Sequence, residues 1–492
     1  MSTRAIIALS LMLSLSIGWT VWGQKGSDKQ GYRIEVTISD FKDTTVYLAN
    51  YYGDKTYMTD TAFADSKGKA VFEGNEPLPG GLYILAIGKN RVLEFIVNQE
   101  QRFSMNTYGP DFVENMKISG SPENDLFYDY MRFNGSKYKE VQPLQTELKN
   151  LPEDSPRSTE IRESLKQINE EVEQYKKKLI ADHPTTFLAS FFSAMREPEV
   201  PEAPLLPDGK KDSTFAYRYY KSHYWSNTNL TDDRLLRTPI FHGKLERYFD
   251  KVLVQHVDTI IAEADRLIDL SRPSKEMFKY LVWHLTIKYE TSKVMGFDEI
   301  FVHMVDKYYS TGEAYWVNET VKQNITERAE KLRWILLGRT APNMIMLDTN
   351  RVPVSLHNVQ AKYTIVLFWD TECGHCKKET PKLKKFYEEE GDKYDVEIFA
   401  VCTDTSYAKM KKYIKDGGLS WINVNGPRTL TGDYHDTYDI YSTPVIYLLD
   451  EQKKIIAKRL LTDQLTDFIR RYDERESSGE GGGTGAGAGA GG

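Results

Sequence analysis

With 492 residues, 40% of them hydrophobic and 12% aromatic, the chain is long enough for roughly two to four domains with packed cores. A net charge of −7, with Lys and Arg spread among Asp and Glu, leaves no footprint for nucleic acid. The three cysteines, Cys373, Cys376 and Cys402, are too few for a secreted scaffold stapled by disulfides, so stability must come from packing.

Residues 1–23 read as a cleaved signal peptide. Arg4 forms a short basic flank, Ala5 to Val21 is an apolar run, and small Gly23 suits the cleavage position. The alternative is an uncleaved N-terminal anchor in the inner membrane, since the run is close to spanning length. No cysteine stands near the cleavage point, which excludes a lipoprotein anchor.

Residues 30–120 predict an antiparallel β domain, a sandwich or small barrel. The runs starting at Tyr32, Thr45, Lys69, Leu82 and Val92 are separated by Gly, Asn, Asp and Lys turn signals at hairpin-like spacing. The stretch holds no Cys or His and reads as a binding or spacer module.

An all-α region is expected over 121–338. Between Pro156 and Leu179, residues Ile161, Leu165, Ile168, Val172, Tyr175 and Leu179 form an amphipathic stripe. It packs on its own domain or, as the lesser alternative, pairs in a coiled coil. Thr185 or Thr186 is placed to cap the helix after His183-Pro184. A Pro-rich linker spans 197–207, followed by the aromatic and basic run Phe215 to Trp225. Such runs bind sugars or single strands in some proteins and more often pack between helices. Leu253, His256, Ile260, Ile261, Ala264 and Leu267 are assigned to one helix face, and His242, His256 and His284 are read as structural or surface residues.

Residues 340–474 read as α/β with a mixed sheet. The expected order is strand 363–369, helix 373–390, strand 396–402, helix 407–415, short helix 434–440, strands 445–449 and 454–460, and helix 463–472. Ile365-Val-Leu-Phe-Trp suits a central strand buried on both faces. The Gly-rich tail, 475–492, is read as disordered.

The chemistry concentrates at Cys373-Gly374-His375-Cys376. A helix is expected to begin at Cys373, where the helix dipole and free N–H groups favour the thiolate, the nucleophile of disulfide exchange. Cys373 is the proposed attacking thiol and the more buried Cys376 the resolving one. A zinc site needs a second Cys or His pair at ligand spacing, so no metal is expected. A merely structural disulfide of so short a loop constrains the unfolded chain little.

Trp369-Asp-Thr-Glu-Cys373-Gly-His-Cys376-Lys-Lys-Glu379-Thr-Pro381 resembles the thioredoxin fold, and within it the TlpA/ResA-like thiol–disulfide oxidoreductases. Pro381 matches the family's helix kink, Ser442-Thr443-Pro444-Val445 its cis-proline loop, and 420–441 the insertion of the TlpA branch. The resemblance implies that Glu379 accepts protons or tunes the thiols, and that Thr443 and cis-Pro444 receive an extended substrate. Leu367 stands where thioredoxin has a buried Asp, which leaves Glu379 as the natural substitute. Trp369 is expected under the active-site turn, and Cys402 as an inert core residue. Gly374-His375 is the dipeptide of protein disulfide isomerases, and a partly charged His375 pushes the couple towards oxidising. Glu372 departs from the family's uncharged residue and acts against the thiolate. Residues 30–338 resemble uncharacterised regions ahead of TlpA-like domains in Gram-negative secreted proteins, best over 220–249. That likeness favours the periplasm and brings no activity.

The sequence therefore predicts a periplasmic reductase or isomerase acting on secreted protein thiols and disulfides. It has no cofactor beyond the Cys373–Cys376 couple. With no nucleotide or flavin motif, electrons must come from a membrane or periplasmic thiol donor. The alternative is a protein- or glycan-binding module whose thioredoxin domain is a redox sensor or vestige.

Overall fold

A computed structural model describes residues 31–426, 428–430 and 432–478. The signal peptide assigned to 1–23 and the tail beyond 478 lie outside the described residues. Two compact units are present, one over 31–51 and 56–178, the other over 52–55 and 179–478.

The first unit begins with eight strands, β1 (Arg33–Ile38), β2 (Thr44–Tyr52), β3 (Lys55–Ala64), β4 (Lys69–Glu73), β5 (Gly81–Ile87), β6 (Asn90–Val97), β7 (Arg102–Thr107) and β8 (Lys117–Ser119). They form two four-stranded sheets, β4-β1-β7-β8 and β3-β2-β5-β6. Alternation sets the inner face: Ile34, Val36 and Ile38 of β1 are buried while their neighbours are not. The pairing is not wholly antiparallel. β1 and β7 run parallel, with Ile34 opposite Phe103, because the strands between them in sequence supply the crossover that a parallel pair requires.

Two long helices follow, α1 (Pro122–Leu148) and α2 (Pro156–Asp182). They pair along their length, with Phe133 stacked on Tyr175 at 4.4 Å and Lys137 bridged to Glu171 at 2.7 Å. Through Tyr175 the α2 stripe is thus satisfied within its own unit, buried at Ile161 and half-buried beyond it, while buried Leu179 belongs to the second unit. The helical stretch expected as one domain over 121–338 therefore divides near residue 178. The cause is visible at the start of α1. Asn124, fully buried, accepts from the Ile96 N–H at 2.7 Å and donates to its carbonyl at 2.8 Å, while the Tyr128 hydroxyl donates to the Glu94 carbonyl. These bonds tie α1 to β6.

The second unit opens with α3 (Phe187–Met195), capped by Thr186, whose hydroxyl accepts from the Ala189 N–H. It continues through α4 (Phe215–His223), α5 (Phe241–Arg247), α6 (Val257–Ser271), α7 (Lys275–Glu290), α8 (Asp298–Met304) and α9 (Glu319–Arg333). The end of the aromatic run serves packing: Tyr224 and Trp225 are buried, with ring centroids 4.9 Å and 5.4 Å from Tyr248, while no residue of Phe215–His223 is buried and Tyr217 is exposed. The helix expected to carry Leu253 and His256 begins only at Val257, with His256 at its N-cap, because the chain is extended there. His242 and His284 are held by the Tyr280 hydroxyl and the Glu246 carboxylate.

The same unit ends in a seven-stranded mixed sheet. Its strands are β9 (Ile345–Asp348), β10 (Pro353–Ser355), β11 (Tyr363–Trp369), β12 (Val396–Cys402), β13 (Ile422–Asn425), β14 (Val445–Leu449) and β15 (Ile455–Lys458), in the order β10-β9-β13-β12-β11-β14-β15. Every residue of β11 is buried, as its unbroken apolar run predicts. The helices are α10 (Cys376–Tyr394), α11 (Tyr407–Gly417), α12 (Tyr434–Thr437) and α13 (Leu465–Ser478). Segment 420–441 contributes β13 and α12. Gly418, with φ of 58°, ends α11 in the left-handed conformation that glycine adopts without a Cβ penalty. α13 passes the end expected at 472 and takes in the start of the tail. Arg470, paired with both Asp467 and Glu474, supports its exposed face.

Asn124→Ala removes two hydrogen bonds from buried backbone groups and leaves both orphaned. We expect a loss of about 2 kcal/mol in urea unfolding of the full chain, whereas Ala at the exposed Asn150 changes it by less than about 0.5 kcal/mol.

Candidate active site

β11 delivers the chain to Trp369, and a turn over 370–375 leads into α10. Asp370 organises the turn: its carboxylate accepts from the Glu372 N–H at 2.7 Å and its carbonyl from the Cys373 N–H at 3.4 Å. Trp369 is buried in the cluster that contains Cys376 and Leu383, with its ring 5.0 Å from Tyr413. It therefore packs under the turn.

α10 starts at Cys376, with His375 at its N-cap, and not at Cys373. Cys373 lies outside because its Sγ accepts from the Cys376 N–H at 3.3 Å, the office of a capping side chain. The sulfur still meets the helix N-terminus. Its other neighbour is the Thr443 carbonyl, 3.2 Å from Sγ, in the loop before β14. The Thr443–Pro444 peptide is cis.

The two thiols differ sharply. At Cys373, partial burial pushes the pKa up. Hydrogen bonds from the Thr443 and Cys376 side chains and from the Cys376 and His375 backbone outweigh it, and the thiol lies below its ordinary value. Cys376 is buried, and desolvation, aided by the neighbouring Cys373, pushes its thiol to about 12. Cys402 is also buried, in register with Trp369, and desolvation raises it to about 12. All three are free thiols.

Gly374 and His375 are exposed, and a Cβ built on Gly374 meets nothing within 4 Å, so the approach to Cys373 is open. Glu372 does not stand alone against the thiolate. Its carboxylate lies 2.9 Å from Lys409 and 3.9 Å from Lys377, and these ammoniums hold its pKa down. Glu379 shares a helix face with Cys376, and its Oε1 pairs with Lys382 at 3.0 Å. Burial pushes its carboxyl up, but Lys382 and Thr462 outweigh that and keep it below the ordinary value. Its Oε2 is buried with no hydrogen-bond partner among the described residues. Leu367 is buried in the same core, so no carboxylate occupies that strand position.

Sequence reasoning did not find Asp370, Thr462, Lys382 or Lys409. Lys382 is three residues past Glu379 and could have been read as a helix pair. Thr462 and Lys409 reach the site only through tertiary folding. Among the described residues no group of three or more His, Cys, Asp or Glu is placed to hold a metal.

The AhpC/TSA family matches residues 337–458, and two domains of unknown function, DUF4369 and DUF5106, match 32–127 and 159–334. The thiol-disulfide oxidoreductase ResA of Bacillus subtilis is 30% identical over 135 residues, covering 26% of this chain and 69% of ResA. The chain belongs to the ResA family of thiol–disulfide oxidoreductases. A solved domain of a possible thiol-disulfide isomerase from Cytophaga hutchinsonii is 40% identical, covering 29% of this chain and 97% of its own, with a TM-score of 0.28. The thioredoxin domain of a thiol-disulfide oxidoreductase from Bacteroides vulgatus is 34% identical, covering 28% and 96%, with a TM-score of 0.26. The Cys373–Cys376 pair lies within the residues matched by the AhpC/TSA family.

The Cys376 thiol, pushed up to about 12, lies well above that of Cys373, which is held below its ordinary value. The more basic thiolate is the better nucleophile, which offsets part of the gap. In the reduced native protein at pH 7, iodoacetamide should alkylate Cys373 about fiftyfold faster than Cys376. The Cys373 rate should fall as pH drops through its pKa and reach its plateau at lower pH than an ordinary thiol does. Peptide mass mapping against time reads both.

Proposed function

We propose that the protein is a periplasmic thiol–disulfide oxidoreductase, a reductase or isomerase, that exchanges disulfides with secreted proteins through Cys373 and Cys376. The observation that carries this reading is the asymmetry of the pair. An accessible thiol of lowered pKa sits at a helix N-terminus, and a buried thiol of high pKa sits beside it.

The Cys373 thiolate attacks one sulfur of a substrate disulfide. That S–S bond breaks, a mixed disulfide forms, and the leaving thiolate takes a proton from solvent. Cys376 then loses its proton and attacks Cys373 Sγ. The mixed disulfide breaks, the Cys373–Cys376 bond forms, and two electrons have passed to the substrate, which leaves as a dithiol. Glu379, ionised at neutral pH and on the Cys376 face of α10, accepts protons from the thiols or tunes them, its carboxylate held by Lys382 and Thr462. Thr443 and cis-Pro444 receive the extended substrate segment along the Thr443 backbone, in strand fashion. Trp369 supports the turn from below, Gly374 leaves the approach clear, and His375 stands beside Cys373 at the N-cap of α10. The couple is restored by a membrane or periplasmic thiol donor. The leader assigned to 1–23 and the family of the C-terminal domain support the location.

Cys376→Ser should trap mixed disulfides through Cys373 on secreted client proteins, resolved as reductant-sensitive adducts on gels. Cys373→Ser should trap none, and Glu379→Gln should accumulate the same adducts transiently. Equilibration with glutathione buffers gives the direction: a potential near roughly −270 mV marks a reductase and one near about −180 mV an isomerase. A wild-type pair that does not exchange with glutathione rejects the reading.

A further inference from the structure

The loop that holds Cys373 is gripped from outside the thioredoxin-like domain. Arg328 on α9 grips both carboxylate oxygens of Asp439, Nη2 lying 3.1 Å from Oδ2, and Arg459 adds a contact of 2.8 Å. The Asp439 side chain is 1% exposed. One turn further along α9, Lys331 reaches Asp436 at 2.6 Å. A carboxylate this buried is tolerated only when paired and hydrogen-bonded.

Asp439 also has φ of 53°, the left-handed region that a residue with a Cβ enters at a penalty. Its two arginines hold it there. The segment around it is internally tied: the Ile440 N–H donates to the His435 carbonyl at 3.1 Å, and the Tyr447 hydroxyl to the Tyr438 carbonyl at 2.6 Å. Four residues beyond Asp439 stands Thr443, whose carbonyl accepts from the Cys373 thiol at 3.2 Å and whose side-chain hydrogen bond to that sulfur favours the thiolate.

The far side of the loop is fixed as well. Thr443–Pro444 leads into β14, and β14 pairs with β15, where Lys458 lies opposite Tyr447. The Lys458 ammonium is buried against the Asp298 carboxylate of α8 and donates to the Ile335 carbonyl at 2.7 Å, just beyond α9. The helical region thus clamps the chain before the loop, at Asp436 and Asp439, and behind it, at Lys458.

We propose that Arg328 and Lys331 are positioning residues for the dithiol: by holding segment 434–441 they set the Thr443 loop against Cys373 and so govern the reactivity of its sulfur. This rests on the reading of Cys373 as the attacking thiol. It gives the region matched by DUF5106 a role in the reaction, as a support for the site rather than a spacer.

The test uses the full chain. Arg328→Met with Asp439→Asn removes both charges together, so no unpaired buried ion remains. Lys331→Ala breaks a pair whose partner Asp436 is more than half exposed, and it folds whatever the first variant does. For each protein one measures the second-order rate of Cys373 with oxidised glutathione, the pH profile of its alkylation, and the equilibrium with glutathione. The double variant is expected to react roughly three- to thirtyfold more slowly, a span set by the size of couplings through packed networks. Its alkylation profile should move to higher pH. Lys331→Ala should shift both readouts the same way by less, and Arg328→Lys should recover part of the double variant's loss. Rates, profiles and potentials within about twofold of wild type in every folded variant overturn the positioning role while leaving the dithiol reading intact. A wild-type protein that does not exchange overturns the dithiol reading first, and the positioning role with it.

Discussion

One sulfur atom between two backbone groups is the arrangement on which the rest of the site depends. Cys373 Sγ receives the Cys376 N–H from one side and lies against the Thr443 carbonyl on the other. Neither partner is near Cys373 by accident of sequence. Cys376 is placed by the start of α10, which needs a buried β11 to launch it, and Thr443 by a loop some seventy residues on. A backbone donor needs no side-chain ordering to act on the sulfur, so it favours the thiolate at little entropic cost. The exposure of Cys373 then decides its character. It is open enough to meet a substrate and enclosed enough for the Thr443 side chain and the Cys376 and His375 backbone to outweigh desolvation.

The same geometry makes the second thiol different without any special residue. Cys376 faces inward from the first turn of the helix, into a cluster of Trp369, Leu383 and Cys402, and loses water on every side. Two identical side chains three residues apart are thereby separated in basicity by placement alone. The neighbouring charges refine this balance. Glu372 is a carboxylate where the resemblance leads one to expect none, yet Lys409 and Lys377 stand on it. Its repulsion of a thiolate is offset locally, and screened because the group is solvent-exposed.

How much of this was legible depends on whether the cause is local. The buried run of β11, the Cys-x-x-Cys spacing and the loop before Pro444 are short-range signals, and each led to the element found. β3 was not legible because it is an edge strand with most residues exposed, so no alternation marks it. β9 and β10 are too short to carry a period. The parallel pairing of β1 with β7 and the division of the helical region near 178 are tertiary facts, set by bonds such as Asn124 to Ile96. The helix start moved from Cys373 to Cys376 because a sulfur can cap, which propensity does not foresee. Arg328 is 111 residues from Asp439, and nothing in either neighbourhood marks the pair.

That long separation bears on why a thioredoxin-like domain should come attached to a helical region. A carboxylate buried to the extent of Asp439, on a backbone turned left-handed, is two unfavourable features at one residue. Arg459 comes from within the domain, but its side chain is 60% exposed and contributes one contact to a single oxygen. Arg328 is the better-enclosed partner and bonds both oxygens, so most of the compensation comes from α9. The loop conformation that meets Cys373 is therefore not a property of the thioredoxin-like domain alone. It is a joint property of that domain and the helix packed against it. Any change that loosens α9 reaches the dithiol through four residues of backbone.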